Sequence, residues 1–244
     1  AMFISHPLAK VKAMEKLTPM MQQYHTIKQE HPDKLVFFRL GDFYEMFYDD
    51  AVLGSRELEI TLTSRNSDSQ GRRIPMCGVP HHSVNSYLAR LIKKGHKVAI
   101  CEQMEESTVG KGIVRREVAR IVTPGMVLDE GVLNSRENNY IGCLAEEPSS
   151  VGASFLDLST GHFVLVEFSG ENAWPHIRQE LARFCPRELI LSETKQDKIV
   201  SHVPDSVLAR TTPTPVSDWS FREDYSRRVL LEHFKVASLE GFGL

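Results

Sequence analysis

The stretch RLGDFYEMFYDD, Arg39 to Asp50, decides how the first half of the chain is read. Gly41-Asp42 is a two-residue turn signal, with LVFFRL before it and FYEMFY after it, so the segment reads as a β-hairpin. Alternation puts Phe43, Glu45 and Phe47 on one face of the returning strand and Tyr44, Met46 and Tyr48 on the other. Phe43 and Glu45, nearest the turn, therefore project together. Two readings are open at this point. Either this is an edge strand whose rings pack on a helix while Glu45 is solvated, or it is a tip on which a ring and a carboxylate act side by side.

The second reading has a physical use. An aromatic ring on a protruding tip can push between stacked bases from the minor groove and kink a duplex. Unstacking costs less where a pair is already mismatched, so deformability becomes a form of readout. A carboxylate near phosphates is repelled. Glu45 makes sense there as an acceptor for a base N–H, and as an uncompensated charge against a well-paired duplex.

Outward from the hairpin, Thr18 and Pro19 open a helix over 19–30, with Met20, Tyr24 and Ile27 at helical spacing. Asp49 or Asp50 opens a short helix in DDAVLGSRELEITL, and SRNSDSQGRR reads as a polar loop or hairpin turn. IPMCGVP is extended and interrupted by prolines, and SVNSYLARLIKKG is a capped helix. KVAICEQ and IVRREVARIVTPG are strands. MVLDEGVLNSREN reads as a connection with a weak helical tendency. A second unit follows, with strands at NYIGCLAEE and on both sides of Ser159-Thr160-Gly161, a helix at NAWPHIRQELARFCP and a strand at ELILSE. SVLARTTPTPVSDWS is a Pro/Thr-rich connection before a last helix at REDYSRRVLLEHF. Mixed helices and strands in two runs indicate α/β architecture. The end, KVASLEGFGL, reads as that of a fragment of a longer protein.

At 244 residues the chain has room for two cores, and no apolar run reaches the length of a membrane span. There is no secretory signal, and Cys77, Cys101, Cys143 and Cys185 are too far apart in sequence for a zinc knuckle or redox motif. Buried reduced thiols in a cytoplasmic protein are the expectation. The net charge of −3 hides a segregation: residues 1–60 carry −2, 61–120 carry +6 and 121–244 carry −7. The basic middle is either a phosphate-facing surface or a solvated face.

GDFYEMF, with Phe43 and Glu45, resembles the mismatch-reading motif of the bacterial MutS family of DNA mismatch-repair proteins. The resemblance continues through DDA at 49–51, IPMCGVPHH at 74–82, YLARLIKKGHKVAICEQ at 87–103, RIVTPG at 120–125 and LDLSTGHF at 156–163. It implies an α/β fold: a mixed-sheet mismatch-recognition domain over 1–125, a linker over 126–136, and an RNase H-like α/β connector domain over 137–244 that includes the start of the next segment. It implies that Phe43 stacks on a mispaired or unpaired base and that Glu45 hydrogen-bonds that base. Arg65, Met76 and Arg116 match positions close to the DNA. Arg115 stands where relatives commonly carry Glu, and so adds a possible phosphate contact.

ATP and Mg²⁺ belong to the full-length proteins of this family, whose Walker A loop, G-x-x-x-x-G-K-[ST], does not occur in this sequence; VGKGIV at 109–114 lacks the spacing. The resemblance thus implies a binding module without cofactor, not an enzyme in itself. Its implied partners are mismatched double-stranded DNA and, through the connector domain, a MutL-type protein. Homodimerisation would rest on the rest of the full-length protein, leaving this fragment a monomer. Two rivals remain. One is an RNase H-like metal-dependent nuclease using Asp157, although converging carboxylates are not evident after Glu167. The other is a metal site at Cys77, His81, His82 and His96, whose spacing is loose.

Overall fold

A computed structural model describes residues 17–67, 73–104, 114–126 and 137–243. The chain forms two compact units. One is built on the described residues up to Pro124, the other on Gly125, Met126 and those from Glu137 onward. Both are α/β with mixed sheets, the expected fold class.

In the first unit, helix α1 (Pro19–Glu30) starts as its sequence predicts, with Thr18 Oγ1 accepting from Met21 N at 3.4 Å and Pro19 in the first turn. Strands β1 (Leu35–Leu40) and β2 (Phe43–Phe47) form the hairpin, followed by α2 (Tyr48–Leu58). The unit continues with β3 (Thr63–Ser67), β4 (Arg73–Pro80), a 3₁₀ turn at His81–Ser83, α3 (Val84–Lys93), β5 (Val98–Gln103) and β6 (Arg116–Val122). The sheet order β3-β4-β2-β1-β5-β6 puts the hairpin at its centre, so β2 is not an edge strand. Only β1–β5 is parallel.

The two faces of the sheet are both covered. Met21, Tyr24 and Ile27 of α1 pack with Phe38, Phe47, Ile74 and Cys101. Tyr44 and Met46 point to the other face, where α2 and α3 lie against β4. Pro75, which interrupts β4 in the sequence, is tolerated because it pairs only with Ser64 of β3, one residue beyond the end of β2. One expectation shifts here. Helix α2 begins at Tyr48, whose φ is +53°, and neither Asp49 nor Asp50 is its cap. Asp50 is instead buried.

The second unit has β7 (Tyr140–Glu146), β8 (Ser150–Asp157) and β9 (His162–Ser169) as an antiparallel meander, then α4 (Ala173–Phe184) and β10 (Glu188–Ser192). Short helices α5 (Gln196–Val200) and α6 (Asp205–Leu208) precede β11 (Thr212–Val216), and α7 (Glu223–Phe234) follows it. The order β11-β10-β7-β8-β9, with β10 parallel to both neighbours, is the RNase H-like arrangement. Ile177, Leu181 and Phe184 of α4 close the core over Phe155, Leu144, Leu189 and Leu191.

The Pro/Thr-rich connection turns out to contain an edge strand. Thr212 N donates to Arg187 O at 2.9 Å, and alternation turns Thr214 the same way, so Pro213 and Pro215 face outward where no N–H is needed. The connection at 126–136 lies outside the described residues except for Met126, as do residues 68–72 of SRNSDSQGRR, whose described ends belong to β3 and β4 rather than to a loop. Among the described residues, no helix is long and apolar enough to cross a membrane.

Candidate nucleic-acid interface

The hairpin tip is fixed from several sides. Gly41 takes φ +58° at the first turn position with Asp42 at the second, a type II′ pattern that favours glycine. Arg39 Nε donates to Gly41 O at 2.5 Å, and His81 N donates to Asp42 O at 2.8 Å, which ties the turn to the end of β4. On the α2–α3 face, Tyr44 hydroxyl donates to the Glu102 carboxylate while the Arg39 guanidinium lies 5.4 Å from the Tyr44 ring centre. Burial and the neighbouring Glu102 carboxylate push the Tyr44 phenol above its ordinary value.

The foot of the hairpin is anchored by Asp50. Its Oδ2 accepts from Tyr24 hydroxyl at 2.8 Å and from Val36 N at 3.0 Å, and its Oδ1 pairs with Lys28 Nζ at 2.8 Å. One carboxylate thus ties α1, β1 and α2 together. Burial and the Asp50 charge raise the Tyr24 phenol, keeping it a neutral donor.

On this rigid frame Phe43 is 47% exposed, the only residue of β2 classed as exposed. Its rung neighbours are Leu40 and Pro80. Glu45, on the same face, is half-buried between Phe38 and Gly78. Gly78 leaves room for it: a Cβ there would lie 3.3 Å from Tyr44 O and 3.4 Å from Glu45 Cγ. The chain therefore holds a ring and a carboxylate two residues apart, ring outermost, at the turn end of a central hairpin.

The other expected contacts divide. Arg115 and Arg116 lie at the same end of the sheet as Phe43. Arg115 is exposed and pairs with Glu117 at 2.5 Å. Arg116 is buried: Nε donates to Arg39 O at 2.6 Å, Nη1 donates to Val114 O at 2.8 Å, and its guanidinium sits 5.1 Å from the Phe38 ring centre. Burial lowers its pKa. Met76 pairs with Phe47 and packs against the α1-side core, about 13 Å along the sheet from the Phe43 rung. Arg65 pairs with Ile74, about 20 Å from it, and its side chain lies outside the described residues. The supporting groups Arg39, Asp50, His81 and Glu102 carry no local sequence signal for their roles.

Asp157 and the cysteine–histidine group occupy other settings. Asp157 is fully buried: Oδ1 accepts from Ser159 N at 2.9 Å, Ser159 Oγ at 2.6 Å and Thr160 N at 3.4 Å, and Oδ2 accepts from Asn139 N at 3.1 Å. Burial opposes its ionisation, but these donors outweigh it and hold the carboxyl below its ordinary value. Its lone pairs are used in organising the β8–β9 turn. Cys77 lies inside the core with its thiol on Ala51 O and is pushed up to about 12 by burial, whereas His81 and His82 are exposed. Among the described residues, no group of three or more His, Cys, Asp or Glu converges.

Two mixed-sheet α/β units in series, the second RNase H-like, are the class this fold defines. Family models then assign each unit: MutS domain I matches residues 18–131 and MutS domain II matches 139–244. The chain belongs to the MutS family, of which it carries domains I and II. Proteins called DNA mismatch repair protein MutS are similar to it throughout. The one from Syntrophomonas wolfei subsp. wolfei is 47% identical over 233 residues, 95% of this chain and 27% of that protein. That from Methanococcoides burtonii is 44% identical, over 94% of this chain and 26% of its own length. That from Myxococcus xanthus is 45% identical, over 97% and 26%. The chain thus spans about a quarter of the length of these relatives.

Proposed function

We propose that this chain recognises mispaired or unpaired bases in double-stranded DNA, with Phe43 as the wedge and Glu45 as the acceptor for the displaced base. The observation that carries this reading is the exposure of Phe43 on a hairpin fastened at its turn and at its foot. Fully burying a phenylalanine contributes about 1.5–3 kcal/mol, and this frame leaves much of that unused at its tip. A ring held out on a rigid support can enter a base step without first being ordered, which lowers the cost of binding. Glu45 sits behind the ring, so its carboxylate meets only a base that the wedge has already displaced. In a paired duplex the N–H groups of the pairing edges are already taken and the carboxylate is desolvated without them, so Glu45 discriminates more than it attracts.

Arg115, and Arg65 and Met76 further along the sheet, are proposed as flanking contacts to the DNA. Arg116 acts through the Arg39 strand end that it holds. The full-length protein is proposed to be an ATPase using ATP and Mg²⁺, and a homodimer. This chain is proposed to supply recognition within that protein. Domain II is proposed to meet a MutL-type protein. Four free cysteines accord with a cytoplasmic setting.

The test is fluorescence anisotropy at low ionic strength, comparing a G·T-mismatched duplex with its G·C counterpart. Wild-type chain should prefer the mismatch, weakly and with strong salt dependence. Phe43→Ala should bind both duplexes alike while its unfolding midpoint stays close to wild type. An unchanged preference in that variant would sink the wedge.

A further inference from the structure

The two edges of the second sheet are built differently. At β11, Pro213 and Pro215 turn outward and deny an incoming strand its donors. At the opposite edge, β9 runs for eight residues, HFVLVEFS, without proline, lysine, arginine or bulge. Among the described residues, no strand pairs with its outer side.

The direction of each backbone group in β9 follows from the register. Glu147 N donates to Ser150 O at 2.9 Å, so the even-numbered residues of β8 turn toward β7. Val151, Ala153 and Phe155 then turn toward β9, where they meet Phe168, Val166 and Val164. The N–H and C=O groups of Phe163, Leu165 and Glu167 are left facing outward. Their side chains lie on the sheet face opposite α4, where Phe163 is 45% and Leu165 47% exposed. The residues with open backbone groups are thus also the ones with uncovered side chains.

We propose that β9 is a self-pairing edge whose partner is β9 of a second copy of this chain. The strand is its own complement. With the two-fold axis at Leu165, Leu165 faces the second copy's Leu165, and Phe163 faces its Glu167. All three residues point outward, so every pair is of the kind that exchanges both hydrogen bonds. Phe163 and Leu165 from both copies fall on one side of the joined sheet, within diagonal reach of each other. Moving the axis to Glu167 would set two carboxylates face to face, and moving it to Phe163 would set Leu165 against Gly161 in the turn outside β9, so the Leu165 register keeps the most pairs. The contact is small, and the dimer is concentration-dependent. It changes the expectation of a monomeric fragment and does not rest on the DNA-binding reading.

Sedimentation velocity of this chain across a range of concentrations tests it. Wild type should show a monomer–dimer equilibrium. Leu165→Lys and Leu165→Glu should each be monomeric, because like charges then face one another, with melting temperatures near wild type at this exposed site. Mixing the two variants should restore a dimer. A wild-type chain that stays monomeric, a dimer that survives Leu165→Lys, or a mixture that stays monomeric would overturn the proposal.

Discussion

Arg116 donates from Nε to the carbonyl oxygen of Arg39 at 2.6 Å, joining the start of β6 to the tip end of β1. The same guanidinium holds Val114 O and covers the Phe38 ring. Replacing it by glutamine leaves one carbonyl without its donor and opens the ring. Arg116→Gln should therefore destabilise the first unit by about 2 kcal/mol in urea unfolding. Arg115→Ala should leave the unfolding midpoint within about 0.5 kcal/mol of wild type, since its exposed pair with Glu117 contributes little. The same substitution should instead make the slope of log affinity against log salt on duplex DNA shallower by about one.

Asp50 gives a second, larger effect. Asp50→Ala removes the acceptor for Tyr24 hydroxyl and Val36 N and the counter-charge of Lys28, which keeps its bond to Lys34 O. Losing a buried hub of this kind costs about 3 kcal/mol or more. Native-state hydrogen exchange should show Val36 N–H opening far more often, because its acceptor is the removed carboxylate.

The contrast between these residues and Phe43 shows what the sequence made legible. The hairpin is local: Gly-Asp between two alternating apolar runs specifies turn, register and facing, and the family motif then singles out Phe43 and Glu45. Asp50 is not local. Its partners lie 26, 22 and 14 residues away, and beside Asp49 it looks like an ordinary helix opener. Arg116 reads as a surface cation because the carbonyl that buries it belongs to a residue 77 positions earlier. In β11, proline spacing that argues against a strand is compatible with one only when a single side is paired, and no single-sequence pattern tells which side that is.

Asp157 carries a pH signature. Its folded pKa is held below the ordinary 3.8 by donors from Ser159, Asn139 and Thr160 against the opposing effect of burial. A depressed carboxyl contributes stability that is complete above its unfolded value and disappears as pH falls through the folded one. Asp157→Asn keeps one acceptor but turns an NH₂ toward donors. It should be less stable than wild type near neutral pH by roughly 1–3 kcal/mol. That gap should narrow below pH about 4, as the wild-type carboxyl protonates. Unfolding midpoints measured at a series of pH values check this.

The rung between Gly78 and Glu45 offers the most selective probe of discrimination. Gly78→Ala places a methyl 3.3 Å from Tyr44 O and in contact with Glu45 Cγ at 3.4 Å, so the rung must give by a few tenths of an ångström and the glutamate stem loses its free space. Phe43, two rungs away, keeps its neighbours Leu40 and Pro80. If Glu45 discriminates by meeting only a displaced base, moving its stem should reduce mismatch preference while the wedge still inserts. Glu45→Ala removes the carboxylate outright and should raise affinity for matched duplex relative to mismatch. The two variants should thus fall in order, with Gly78→Ala between wild type and Glu45→Ala in the ratio of mismatched to matched binding. Anisotropy titrations on the paired duplexes check the order. A Gly78→Ala chain that discriminates as well as wild type would show that Glu45 acts without needing its present position.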